Sequence, residues 1–372
     1  MAVIKSRRAI LVLALLSLAV LAGCGEQRVL EKLGFIQIVG YDKGPNGQLR
    51  VSFYLPKFGP EFGMTKGEYL STIARSSKEG KTKVGRQTNW DIVSGQLRNV
   101  LISDSLAREG VWPHLDTLFR DPTISPRVKI SIVEGEVADI LGKNYEQHPG
   151  VSTYLDHLLE TEINEEAIPR VSLFEFERDF LDDGIDAVMP IIKDAGQHLE
   201  VIGLAVFRVD KYVGKIDSDD IPIFSMLYGD NKKLDIYQAM DDDRQGPSHV
   251  MLGSVKSSRK VKVKRLPSGQ FELELRIRAQ GLVTEYRGDL LMTNEDQRKQ
   301  LERAISEKLA ERAEQLISLL QEKKSESLGF GKYVRNSMSY RAWKQLDWRE
   351  EFSEAKIDCR VQFTIQNFGK IR

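Results

Sequence analysis

Cysteine is nearly absent: the 372 residues hold two, Cys24 and Cys359. If Cys24 is modified, no internal disulfide can form, and the fold must stand on its core alone. Net charge is missing as well, since Lys+Arg and Asp+Glu both number 54. That balance argues against a nucleic-acid partner, which calls for a basic excess, and against a polybasic membrane patch. Past Ala22 no apolar stretch reaches the roughly 20 residues of a spanning helix. There is no internal repeat and no long low-complexity segment. The histidines, at 114, 148, 157, 198 and 249, are scattered, and none forms a zinc-protease pair. Gly80-Lys81-Thr82 imitates the end of a phosphate loop, but Arg75 stands where that loop needs glycine. Asp241, Asp243 and Gly246 imitate the start of a calcium loop, yet the closing acid is replaced by Leu252. Asp241 to Asp243 therefore read as a solvated acidic loop, with at most a weak surface cation site. No Gly-x-Ser-x-Gly elbow occurs. No catalytic, cofactor-binding or metal-ligating residue is proposed, so the expectation is a non-enzymatic binding or assembly component.

What is present starts at the N-terminus. Lys5, Arg7 and Arg8 precede an apolar run from Ala9 to Ala22 broken only by Ser17. The run ends in Leu21-Ala22-Gly23-Cys24, small residues that fit a signal peptidase cleft, followed by a thiol. Cys24 is thus the expected lipidation site, bearing a diacylglycerol thioether on the new N-terminus. Each buried acyl methylene contributes about 0.8 kcal/mol, so two or three chains anchor stably.

Along the rest of the chain the periods change. Phe35 to Tyr41 and Leu49 to Leu55 read as a hairpin about Asn46-Gly47. Ser71 to Gly85 reads as an exposed loop or weak strand. Asn89 to Glu109 is expected to be helical from Ile92, Val93, Leu97, Val100 and Leu101. A short helix to Phe119, a strand at Val128 to Val133 and a small helix at Ala138 to Leu141 follow. Amphipathic helices are expected at Ser152 to Asn164 and Ser172 to Ile192, then a strand pair at Glu200 to Val209 and Lys211 to Ile216. A short helix ends near Tyr228. Ser248 to Leu266 and Gln270 to Tyr286 alternate as a half-buried hairpin with Lys facing Glu on its wet side, so the basic run Arg259 to Arg265 reads as a solvated sheet face. Thr293 to Ser325 is one long helix with Thr293 and Asp296 as a capping box, and Leu301, Ile305, Leu309, Ala313, Leu316, Ile317 and Leu320 along one face. Gly329-Phe330-Gly331 interrupts, a short helix spans Arg341 to Leu346, and the last strand turns Cys359 inward as a buried structural thiol.

The fold class is therefore α+β and multi-domain, with mixed and antiparallel sheets, packed helices and a C-terminal antiparallel sheet covered by a long helix. The expected divisions are a signal peptide at 1–23, an N-terminal α+β domain at 24–195, a small middle domain at 196–247 and a C-terminal domain at 248–372.

Three stretches in this order resemble the Ger(x)C family, the lipoprotein C subunit of spore germinant receptors. They are Cys24 followed by Leu33-Gly34-Phe35-Ile36-Gln37-Ile38-Val39-Gly40-Tyr41-Asp42; Ile202-Gly203-Leu204-Ala205-Val206-Phe207-Arg208 with Val213-Gly214-Lys215-Ile216; and Leu328-Gly329-Phe330-Gly331-Lys332 with Trp343 and the terminal strand. Gly25 and Ser327 depart from the family pattern, which often has an aromatic and Asp-Pro there. The resemblance implies a non-enzymatic subunit working with two integral-membrane subunits, of A and B type, without nucleic acid or cofactor. It implies a position on the extracytoplasmic face of the inner spore membrane and a response to nutrients. The alternative is a solute-binding lipoprotein feeding a transporter, which would need two similar lobes.

Overall fold

Two sheets organise the computed structural model, which describes residues 32–57, 67–146, 148, 150–229, 231–240, 248–290 and 293–367. Cys24, the signal segment and Asp241 to Asp243 lie outside these residues. The chain enters through β1 (Leu33–Phe35) and β2 (Ile38–Lys43), then turns into β3 (Leu49–Pro56). Asn46 and Gly47 both take positive φ, 53° and 71°, as the hairpin requires. After β4 (Gly67–Ala74) comes α1 (Ser77–Val84). The stretch expected to be a loop or weak strand is thus a strand and a helix. Ser76 caps that helix by accepting from the Glu79 amide at 3.2 Å. Gly80 lets it lie on β3, since a Cβ there would sit 2.9 Å from Val51.

The helix expected over Asn89 to Glu109 does not form. The segment holds β5 (Asp91–Val93), β6 (Asn99–Ser103) and one turn of helix, α2 (Asp104–Ala107). Every residue of β6 is buried. It pairs parallel with β2 on one side and with β7 (Lys129–Val133) on the other, after α3 (Trp112–Phe119). A strand covered on both faces shows an unbroken apolar run instead of alternation, and such a run fits either period.

From β7 the chain crosses through α4 (Val137–Gly142), α5 (Val151–Asn164) and α6 (Leu173–Leu181) to β8 (Val188–Asp194). The helix expected from Ser172 to Ile192 is real only in its first half. Pro190 is tolerated in the strand because β7 and β8 pair only at residues 191 and 192. β8, β9 (Leu199–Arg208) and β10 (Lys211–Asp217) continue as an antiparallel meander. The first sheet runs β10-β9-β8-β7-β6-β2-β3-β4, parallel at its centre and antiparallel at both flanks. Asp194 to His198 is a turn inside this sheet. Residues 196–247 are shared: β9 and β10 complete the first sheet, while α7 (Ile221–Tyr228) and β11 (Asn231–Met240) pack with the second.

The second sheet has the order β11-β12-β13-β14, with β12 (Ser248–Arg265), β13 (Phe271–Arg287) and β14 (Lys356–Asn367). β11 to β13 are antiparallel, and β14 joins parallel to β13. Across it lies α8 (Glu295–Glu322), whose buried residues are the seven apolar positions read from the sequence. Its cap is Asn294, accepting from the amides of Asp296 and Gln297, rather than a Thr293–Asp296 box. The helix also closes the β14 edge, where Ser306 and Glu302 accept the amides of Phe363 and Ile365 at 2.9 and 2.8 Å. α9 (Phe330–Asn336), α10 (Tyr340–Lys344) and α11 (Trp348–Glu354) fill the end of the sheet. One continuous core joins buried residues of both sheets.

Candidate functional site

Open sheets with parallel strands bind ligands beyond the strands' carboxyl ends, where helix N-termini point. In this chain that place is taken by Asp42, at the end of β2. Its two carboxylate oxygens accept the amides of Val137 and Ala138, at 2.6 and 3.0 Å, so it caps α4 as an anion would. Burial pushes its pKa up to about 6, the Val137 amide pulls against this, and Glu136 adds to the rise. Gly40 allows the approach, because a Cβ there would be 2.5 Å from Val137. Beside it, Asp104 accepts the Gly135 amide and Asp194 pairs with Lys143. The ridge is satisfied by the chain's own groups.

A dense buried polar arrangement lies at the seam between the two sheets. Asp186 has a fully buried side chain and pairs with Arg349 at 2.8 Å. The same oxygen accepts the Val209 amide, and the other accepts the Glu326 amide at 3.0 Å. In return the Asp186 amide donates to the Glu326 carbonyl. The Glu326 carboxylate accepts the amides of Phe330, at 2.8 Å, and Gly331, at 3.4 Å. Burial raises its carboxyl well above the ordinary glutamate range; the Phe330 amide opposes this and Asp186 reinforces it. Arg259 reaches from β12 to donate to the carbonyls of Leu227 and Leu328. Ser325 donates to the Phe207 carbonyl at 2.7 Å. The second stretch singled out in the sequence therefore meets the segment leading into the third here. Gly329 takes φ 69° at the start of α9. A Cβ on Gly331 would come within 2.6 Å of the Gly184 Cα and 2.5 Å of Trp348, so two backbones touch across the seam. Nothing in the sequence ties Asp186 to Glu326, 140 residues away; the only local hint is an acid set between Ile185 and Ala187.

The remaining sequence candidates are dispersed. Gly80-Lys81-Thr82 lies within α1, and Cys359 is buried with its thiol pushed up to about 12 by burial. His114 stacks on Tyr41, His148 on Tyr154, and His249 lies 3.0 Å from Glu285. Among the described residues no group of three or more His, Cys, Asp or Glu could hold a metal ion. No helix of the described residues is long and apolar enough to cross a membrane. Below the seam a cleft of about 410 Å³ is lined by Leu181, Asp182, Asp183, Arg335, Tyr340 and Lys344. Arg335 bridges both aspartates, at 2.7 and 3.0 Å, and Lys344 holds Asp183. Its charges are matched within the chain.

Two spore germination domain families together cover both sheets of this α+β body. Residues 26–194 match the family described as spore germination protein N-terminal domain, and residues 202–369 match spore germination B3/GerAC like, C-terminal. The chain belongs to this Ger(x)C family of germinant receptor C subunits. Spore germination protein GerQC of Bacillus cereus is 24% identical over 350 residues, covering 94% of this chain and 96% of its own. The putative spore germination protein YfkR of Bacillus subtilis (strain 168) is 23% identical over 379 residues, covering 96% of each. The crystal structure of the GerBC protein shares the fold, with a TM-score of 0.58 at 18% identity, over 88% of this chain and 97% of that one. The two family regions divide at the turn between β8 and β9, within the first sheet.

Proposed function

We propose that the protein is a non-enzymatic, lipid-anchored subunit of a nutrient germinant receptor, held by Cys24 on the extracytoplasmic face of the inner spore membrane beside two integral-membrane subunits. The observation that carries this reading is the pair of spore germination family regions spanning 26–194 and 202–369 directly behind a lipobox. The internal satisfaction of the sheet ridge by Asp42, and of the seam by backbone amides and Arg349, supports a structural rather than catalytic body. Membrane residence rests on acyl chains, since two of them supply far more than the marginal binding of a single chain. Two strains test it. A deletion strain lacking paralogues should lose nutrient-triggered germination, and Cys24→Ala should move the protein from the membrane to the soluble spore fraction. Normal germination of the deletion strain, or a Cys24→Ala protein that stays in the membrane pellet, would contradict the proposal.

A further inference from the structure

The outward face of the second sheet has a charge pattern that the sequence alone disguises. Register places Lys256–Gln280–Thr364, Ser258–Arg278–Gln362, Lys260–Arg276–Arg360, Lys262–Glu274–Asp358 and Lys264–Glu272–Lys356 in five successive rows across β12, β13 and β14. Directly paired residues and alternate residues share one face, opposite the one that α8 covers. The rows carry eight cations and three carboxylates on a chain whose net charge is zero. Acids face the lysines in only two of the five rows, so the reading of this face as evenly interleaved holds at one end alone. There Lys264 and Arg276 pair with Glu274, Lys356 with Glu272 and Arg360 with Asp358. Lys256, Lys260 and Arg278 make no ion pair among the described residues, and Lys262 acts on the Glu274 opposite it only at longer range. The middle row sets three cations directly opposite one another, an arrangement that destabilises a sheet.

At the acid-free end the face is concave. A cleft of about 530 Å³ is lined by Lys256, Ser258, Arg278, Gln280, Gln362 and Thr364. We propose that this face docks an acidic polypeptide segment of a partner protein, with carboxylates over Lys260 and Arg278 and peptide groups hydrogen-bonded by Gln280, Gln362 and Thr364. A bilayer surface fits less well. It cannot reach the floor of a cleft, and none of the exposed large apolar side chains among the described residues lies on these rows to enter the acyl layer. The inference stands on this face and is independent of the receptor reading.

The probe is a fluorescein-labelled Glu/Gly peptide, titrated by anisotropy against the Cys24→Ala chain so that no acyl anchor contributes. Lys260→Gln with Arg278→Gln should weaken binding about tenfold and flatten its salt dependence. Lys211→Gln, an exposed lysine on β10, should leave it unchanged. Because the double variant relieves like-charge opposition, it should melt no lower than its parent. Failure of the peptide to bind, or binding equal in parent and double variant, overturns the proposal. So does a double variant that keeps the peptide but loses co-sedimentation with phosphatidylglycerol-containing vesicles, which would give the face to a membrane.

Discussion

Gly331 sets the backbone of α9 against that of Gly184, and its replacement separates contact from conformation. Gly331→Ala drives a methyl into the Gly184 backbone and the Trp348 ring, and should cost about 2–3 kcal/mol in urea unfolding. Gly47→Ala meets nothing within 4 Å and pays only for its positive φ, about 1 kcal/mol. Glu326 gives the seam a pH dependence. Its folded pKa lies above the unfolded value, so the folded state holds the extra proton between the two, and stability falls as pH rises through that window. Glu326→Gln has no proton to lose. The parent's advantage over this variant should therefore be largest in mild acid and shrink toward neutrality, with the Asp42 titration near 6 cancelling in the difference. A difference between the two proteins that is flat with pH would remove Glu326 from the account. Cys359, buried with a raised thiol, should resist iodoacetamide until the chain is unfolded.

Among the elements, α8 and the β12–β13 hairpin were legible because each buries one face only. Leu301 to Leu320 then repeat at three and four, while Phe271 to Ile277 alternate with Glu and Arg. Leu309→Ala, at a fully buried position of α8, should cost about 2–5 kcal/mol in thermal or urea unfolding. β6 and β8 were illegible as strands for the opposite reason. Val100-Leu101-Ile102 and Val188 to Ile192 are covered from both sides, so their sequences lack the polar partner that fixes a period. α1 was hidden by Ser, Lys and Gly, whose role is a cap and a close approach to Val51 rather than a loop. α11 packs through Trp348 and Phe352 and also supplies the arginine of the seam. Arg349→Met should cost about 3 kcal/mol by leaving Asp186 charged and buried, and adding Asp186→Asn should recover part of it.

At the scale of the molecule, the seam makes one body of two family regions. The Ger(x)C resemblance was legible in the order of its three stretches, and the structure brings the second against the segment leading into the third, where Ser325 donates to the Phe207 carbonyl. The polar seam itself could not be read, since its partners are separated by more than a hundred residues and each looks like an ordinary surface acid or arginine. The most direct measurement is affinity recovery of the tagged native protein from spore inner membranes, with mass spectrometry of what comes with it and of its N-terminal peptide. The account predicts an acylated Cys24 and two integral-membrane subunits in a fixed ratio. Recovery of the chain alone, with a bare thiol or an intact leader, would contradict it.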